Sequence, residues 1–340
     1  MKKIVTLVVV LILSASIITA SVLSDPLNIK LLVTGYFGEY RSTFSSDLNI
    51  SEHFHKGIDL STNSRVGLEL YAPESGYVDS LMINHPLYGT ALMLTLPEVK
   101  NIVTNEKGIK ILFGHLQDLG SLTNLSGRRL NEIFNELLLD YGSSYIRVKF
   151  PENEIVFNNG ELIAYSGNTG NVDPHLHVEI RNLDETMVLN PGMYFELPEY
   201  TGTTVKVIEI ISGNDVYDLA KYPNPLVKIS EYTPFLLRTR VESRQPINPR
   251  SISIYVEDSL IYRIDFSHFL LENGDLVHEI YTNSTMRDYR FRLDATIPEE
   301  IVTVNKWQTV DLNSEKNARL VVIDHWGNSA EVKFRLIERR

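Results

Sequence analysis

Three histidine-bearing segments follow one another along the chain: His55-Lys56-Gly57-Ile58-Asp59, Gly114-His115-Leu116 and Pro174-His175-Leu176-His177-Val178-Glu179. Side chains of an extended strand alternate between faces, so residues 55, 57 and 59 share one face. His55 and Asp59 then point the same way, and Gly57 between them leaves room for an ion. The same alternation puts His175 and His177 together on a second strand. Two neutral imidazoles and a carboxylate match the ligands of catalytic zinc, which keeps one coordination position open. Two further imidazoles would then stand beside the metal. A zinc site of this kind lowers the pKa of a water to roughly 7. Histidine titrates in the same range, so it can orient that water and stabilise charge on an attacked amide oxygen.

These segments resemble the lysostaphin-type (LytM-like, β-lytic) zinc metallo-endopeptidase family, which cuts the peptide part of bacterial cell walls. Phe37-Gly38-Glu39-Tyr40-Arg41 stands where that family has its Phe-Gly-x-x-Arg turn. Ala72-Pro73-Glu74-Ser75-Gly76-Tyr77-Val78 resembles the strand after its aspartate ligand. Ile163-Ala164-Tyr165-Ser166-Gly167-Asn168-Thr169-Gly170 resembles its Gly-x-Thr-Gly approach to the His-x-His strand. The resemblance runs from about Thr34 to Pro191. It implies that His55, Asp59 and His177 hold Zn2+, and that His115 and His175 are the catalytic histidines beside the attacking water. It also implies hydrolysis of peptidoglycan peptides. Two alternatives stand beside that activity: a catalytically silent relative that regulates other wall hydrolases, and a peptidase acting on proteins. Silent relatives typically lose ligands, whereas this chain keeps all five residues. No His-Glu-x-x-His helix exists; His278-Glu279 begins such a pattern, but Thr282 stands where the second histidine belongs. Glutamate is therefore not the expected general base.

The remaining histidines have plainer readings. His85, His268, His278 and His325 are expected at the surface or as satisfied core residues, His325 within a hairpin turn Asp324-His325-Trp326-Gly327-Asn328. His53 shares the face of His55 and Asp59, but three protein ligands already complete a catalytic zinc site.

The elements that must position these residues read as mostly β. Residues 27–197 form the expected endopeptidase domain, an antiparallel β fold with short apolar runs such as Ile109 to Phe113 and Glu161 to Tyr165. An insertion at about 117–157 interrupts it. There Leu130, Ile133, Phe134, Leu137, Leu138 and Tyr141 recur at helical spacing, with Ser126 as N-cap and Gly142 just past the end. The helix reads as a cover for an exposed sheet face, or alternatively as a lid on the rim of the catalytic groove. Turn formers Pro198-Glu199-Tyr200-Thr201-Gly202 mark a boundary. Residues 204–340 carry strand-like runs Val205 to Ile211, Phe235 to Val241, Ser251 to Val256, Leu260 to Phe266 and Arg287 to Leu293. Leu320 to Ile323 and Val332 to Leu336 close the series around Gly327. These suggest a β-sandwich, immunoglobulin-like, with an accessory or docking role.

Length and charge agree with an exported two-domain protein. At 340 residues there is chain enough for two cores. Lys2 and Lys3 precede an uncharged apolar run from Ile4 to Ser24, so residues 1–21 read as a signal peptide, or uncleaved as a membrane anchor. The expected location is the periplasm, the cell surface or the medium. No cysteine is present, which excludes disulfides, thiol catalysis and lipid attachment through an N-terminal Cys. A net charge of −11, with no basic block, argues against nucleic acid as a partner.

Overall fold

The computed structural model of the chain describes residues 23–42, 51–120, 123–230 and 232–339. The expected signal peptide or anchor at 1–21 lies outside these residues. The protein is mostly β, with several antiparallel sheets and one long helix.

Among the described residues the largest sheet has ten strands. Its central run is Val33–Gly35, Ile58–Ser61, His175–Arg181, Lys107–Gly114, Gly89–Lys100, Gly76–His85 and Ile146–Lys149, each antiparallel to its neighbours. Alternation within these strands decides which side does chemistry. Leu92, Leu94 and Leu96, with Leu176, Val178 and Ile180, point into one buried core. That core lies against a small sheet of Glu69–Tyr71, Leu162–Ser166 and Leu116–Leu119. The opposite face of His175–Arg181 carries His175, His177, Glu179 and Arg181 in sequence.

The helix Leu125–Tyr141 begins at Asn124, whose side chain accepts from the Gly127 amide; Ser126, the expected N-cap, lies inside the first turn. Asn124 wins because its backbone is extended and its carboxamide reaches N3, as the capping geometry requires. The helix ends at Gly142 as expected, with φ of 57°.

Beyond Thr204 the chain forms two sheets around a common core of residues such as Ile210, Leu237, Ile254, Leu320 and Phe334. One holds Asp215–Asp218, Thr204–Ser212, Phe235–Glu242, Pro246–Ile247 and Arg290–Arg292. The other holds Leu226–Ile229, Ser329–Glu338, Lys316–Ile323, Ser251–Val256, Ser259–Asp265 and Val302–Asn305. The run expected from Arg287 to Leu293 pairs only over Arg290–Arg292, because Thr285 and Asp288 pair with each other in a tight turn just before it.

The two parts of the chain are knitted together. Met187–Leu189 pairs with His175–Arg181 on one side and with His268–Leu270 on the other, so the large sheet runs into the C-terminal part. Phe37, Tyr40, Phe54 and Val188 belong to the C-terminal core, while Val241 and Ile247 belong to the N-terminal one. Burying a large apolar side chain contributes about 1.5–3 kcal/mol, so this seam holds as firmly as a core.

Candidate metal centre

His177 stands opposite Asp59 in the register between their strands and opposite Gly114 on its other side. His55 does not lie on the same strand as Asp59. The aspartate strand starts only at Ile58, and residues 55–57 connect it to the short strand His53–Phe54. Gly57 consequently does not make room for an ion. A Cβ there would meet the Val178 carbonyl oxygen at 2.2 Å, so glycine is needed for the approach of the histidine strand.

The connection is held from the turn at 36–41. The His55 amide donates to the Glu39 carbonyl, the Gly38 amide donates to the His55 carbonyl, and His55 Nδ1 lies 2.9 Å from the Tyr36 carbonyl oxygen. That last contact assigns the proton to Nδ1 and leaves the Nε2 lone pair free. His177 is arranged the other way round. Its Nε2 faces Glu179 Oε1 at 3.2 Å, and its Nδ1 faces Asp59.

The three free donors converge. His55 Nε2 lies 3.1 Å and His177 Nδ1 2.9 Å from Asp59 Oδ1, and the two nitrogens lie 3.3 Å apart. Ligand atoms arranged tetrahedrally at zinc-like distances stand about 3.3 Å from one another, so these residues fit around one small ion. All three are buried. The group could therefore hold a metal.

The surroundings divide the work within Asp59. Arg41 donates to Oδ2 at 2.8 Å, which leaves Oδ1 toward the histidines. The same guanidinium lies 3.0 Å from His55 Nδ1, but it has only hydrogens to offer, so Tyr36 is the partner of that nitrogen. Burial raises the Asp59 pKa, yet His55, Arg41 and the hydrogen bonds of both histidines outweigh it and keep the carboxylate ionised. Burial and the Arg41 charge push His55 down to about 4, so at pH 7 it is neutral, the form in which imidazole can bind a metal. Burial acts on His177 in the same direction, but its bonds to Asp59 and Glu179 lift it to about 9. A metal bound at Nδ1 would therefore compete with a proton there.

Glu179 is fully buried and is itself anchored, receiving Arg181 at 2.6 Å and the Tyr88 hydroxyl at 2.7 Å. A carboxylate behind a ligating imidazole fixes its ring and raises its basicity.

His115 and His175 lie beside this group. His115 sits between two strands with φ of 61°, buried, its Nδ1 2.8 Å from the Thr169 carbonyl. Burial, then the charges of the neighbouring imidazoles, push its pKa down to about 3. His175 Nδ1 lies 2.7 Å from the Asp173 carbonyl, and its Nε2 is 3.6 Å from Asp59 Oδ1. The two rings are 4.6 Å apart. His175 therefore presents Nε2 toward the donor group, and the Thr169 contact leaves His115 Nε2 free.

An open cavity of about 1070 Å³ lies over the group, lined by all five residues together with Arg41, Lys56, Tyr88 and Asn171. His53 reaches its wall but bonds the Ser51 carbonyl and is not among the converging donors. His85, expected to be ordinary, also lines it: its Nδ1 accepts from the Leu87 and Tyr88 amides, and its ring stacks on Tyr88. Glu179, Arg181 and Tyr88 were not singled out as functional from sequence. For Glu179 and Arg181 the signal was present, because alternation places them on the face of His175 and His177. No residue of the helix Leu125–Tyr141 lines the cavity.

Neither protein-family models nor curated protein sequences match this chain. Among solved structures, a chain of the SpoIIQ–SpoIIIAH pore-forming complex aligns over 53% of this chain and 94% of its own. That alignment has 17% sequence identity and a TM-score of 0.32.

Proposed function

We propose that this protein is an exported zinc metallo-endopeptidase that hydrolyses peptide bonds in peptidoglycan. One observation carries the proposal: three buried donors, two imidazole and one carboxylate, converge at the base of an open cavity with two further imidazoles beside them. The substrate class and the zinc are supported by the sequence resemblance, since a site geometry does not name a substrate.

When bound, zinc supplies a Lewis acid that polarises the scissile carbonyl and brings the pKa of a water to about 7. His55, Asp59 and His177 would hold it, with Tyr36, Arg41 and Glu179 orienting them. His115, its Nδ1 proton occupied by Thr169, accepts a hydrogen from the attacking water at Nε2. That proton would pass on to the leaving amine, either from His115 itself or from His175, which is held in the same way through Asp173. The Glu179 carboxylate borders the cavity, but it is buried and its oxygens are occupied by Arg181, Tyr88 and His177, so it is not assigned as a base.

The test is to incubate the zinc-loaded protein with purified peptidoglycan and weigh the released fragments by mass spectrometry, with a protein substrate alongside. Release of peptide fragments from the wall is the expected result. Cleavage of the protein substrate alone would reassign the activity, and zinc bound without any cleavage would make this a silent relative.

A further inference from the structure

The His55 ligand is held by one turn, and that turn is held by the C-terminal sandwich. Tyr36 to Arg41 supply all the supports of His55 named above: the Tyr36 carbonyl for its ring, and the Glu39 carbonyl and Gly38 amide for its backbone. The outer side of this turn is held from the second half of the chain. There the Tyr281 hydroxyl donates to the Gly38 carbonyl at 2.7 Å, and Asn248 Nδ2 donates to the Phe37 carbonyl at 3.1 Å. Both side chains are essentially free of solvent. Gly38 has φ of 78°, and a Cβ on it would strike the Phe266 ring at 2.4 Å, so the turn is seated directly on that ring. Phe54, the residue before His55, packs its ring on Phe266, Phe269 and Tyr281 and donates its amide to the Gly274 carbonyl.

We propose that Tyr281 and Asn248 are positioning residues for the metal ligand His55, and that the C-terminal sandwich is thereby a structural part of the metal centre. The carboxamide fixes the peptide plane that carries the Gly38 amide, and the hydroxyl fixes the next plane, which leads into the Glu39 carbonyl; these two groups grip His55 on the other side. A ligand mispositioned by a few tenths of an ångström binds metal more weakly, which is why outer supports of ligands matter nearly as much as the ligands. This inference rests on metal binding by His55, Asp59 and His177, and not on which bond is cut.

The test uses the full chain and Co2+ as a spectroscopic probe. Tyr281→Phe and Asn248→Ala each remove one support of the turn. Tyr262→Phe is the control, because Tyr262 is equally buried in the same core but its hydroxyl donates to the Arg292 carbonyl instead. Cobalt affinity should fall by about tenfold or more in the first two, the scale on which outer supports act, with an altered visible spectrum. The control should keep wild-type affinity and spectrum. Wild-type binding by both test variants overturns the proposal, as does an equal loss in the control. Hydrogen exchange on the unaltered chain decides the matter even if the variants do not fold. Zinc should then slow exchange at the Phe54 amide and in the segment Val277–Ile280 ahead of Tyr281. Protection confined to the strands of Asp59 and His177 overturns the proposal. A chain that binds neither metal overturns the proposed function as well, so the two failures are told apart.

Discussion

At the scale of single residues, the proposed function assigns some groups to hold a metal and others to face it. Asp59→Ala should abolish binding, because Asp59 Oδ1 is the point on which both ligand nitrogens converge. His115→Ala and His175→Ala should keep the metal and lose activity by roughly 10²–10⁴-fold, the usual contribution of a proton-transfer group. Elemental analysis and turnover of the same preparations check both. Full occupancy in Asp59→Ala, or near-normal turnover in both histidine variants, would reverse the assignments. Glu179→Gln keeps the shape of the side chain but removes the charge behind His177. It should weaken metal binding by about 10–100-fold while leaving cavity-facing chemistry in place; a metal titration that matches wild type would show the carboxylate to be mere packing. Much of the placement was legible, because alternation sets His175 and His177 on one face of their strand, where His177 stands opposite Asp59. Tyr36 was not legible at all. It acts through a backbone carbonyl, which every residue has, and it reaches His55 only because the chain turns back on itself.

At the scale of elements, the long helix shows what periodicity can and cannot tell. The spacing of Leu130, Ile133, Phe134 and Leu137 did identify a helix with one apolar side. Leu130 and Phe134 are buried, with Ile133 and Leu137 packed against the same core. Leu138, placed in the same stripe, is 38% exposed, and its neighbour Leu139 is 85% exposed. A stripe names a buried face but not the element that buries it. Here that element is the small sheet, through contacts with Leu116–Leu119, and no helix residue reaches the cavity. The lid expected as one alternative is therefore not formed by the helix. Among the described residues of the insertion, the segment just after the helix touches the rim, where Asn84 Nδ2 donates to the Gly142 and Ser144 carbonyls and Tyr145 meets the His85 ring edge-on. Excising the whole insertion would also remove the edge strands Ile146–Lys149 and Val156–Phe157, so a point substitution is the cleaner probe. Leu130→Ala should cost about 2–5 kcal/mol of stability by opening a cavity in the core, with metal affinity unchanged. Denaturant unfolding and a metal titration on the same variant check this. Affinity that falls with stability would mean that the helix, too, supports the site.

At the scale of the whole molecule, the turn formers at 198–202 were legible, but the sharing of cores across them was not. Phe37 and Phe54 meet Phe266 and Phe269 through more than 200 residues of intervening chain, and no local pattern records such a partner. The same joint contains a titratable group. His325 stacks beside Tyr36 at 4.7 Å and bonds the Asn248 carbonyl through Nε2. Burial, reinforced by the charge of Arg250, pushes its pKa down to about 3 from an ordinary 6.5. Between those values the unfolded chain binds a proton that the folded chain refuses. Stability therefore falls as pH drops below about 6.5 and is fully present above it. For a single such group the loss between pH 7 and pH 5 is about 2 kcal/mol. His55, His85 and His115 are depressed in the same sense and steepen the dependence, whereas His177, raised to about 9, opposes it. The share of His325 is isolated by His325→Gln, which offers a donor to Asn248 without a titrating ring. Denaturant unfolding of the metal-free proteins at pH 7 and pH 5 should show the variant losing about 2 kcal/mol less than wild type over that interval. Equal losses in the two proteins would mean that His325 titrates in the folded chain as it does in the unfolded one. The ring would then be reached by water, and the joint between the two parts of the chain would be looser than its buried aromatic contacts require.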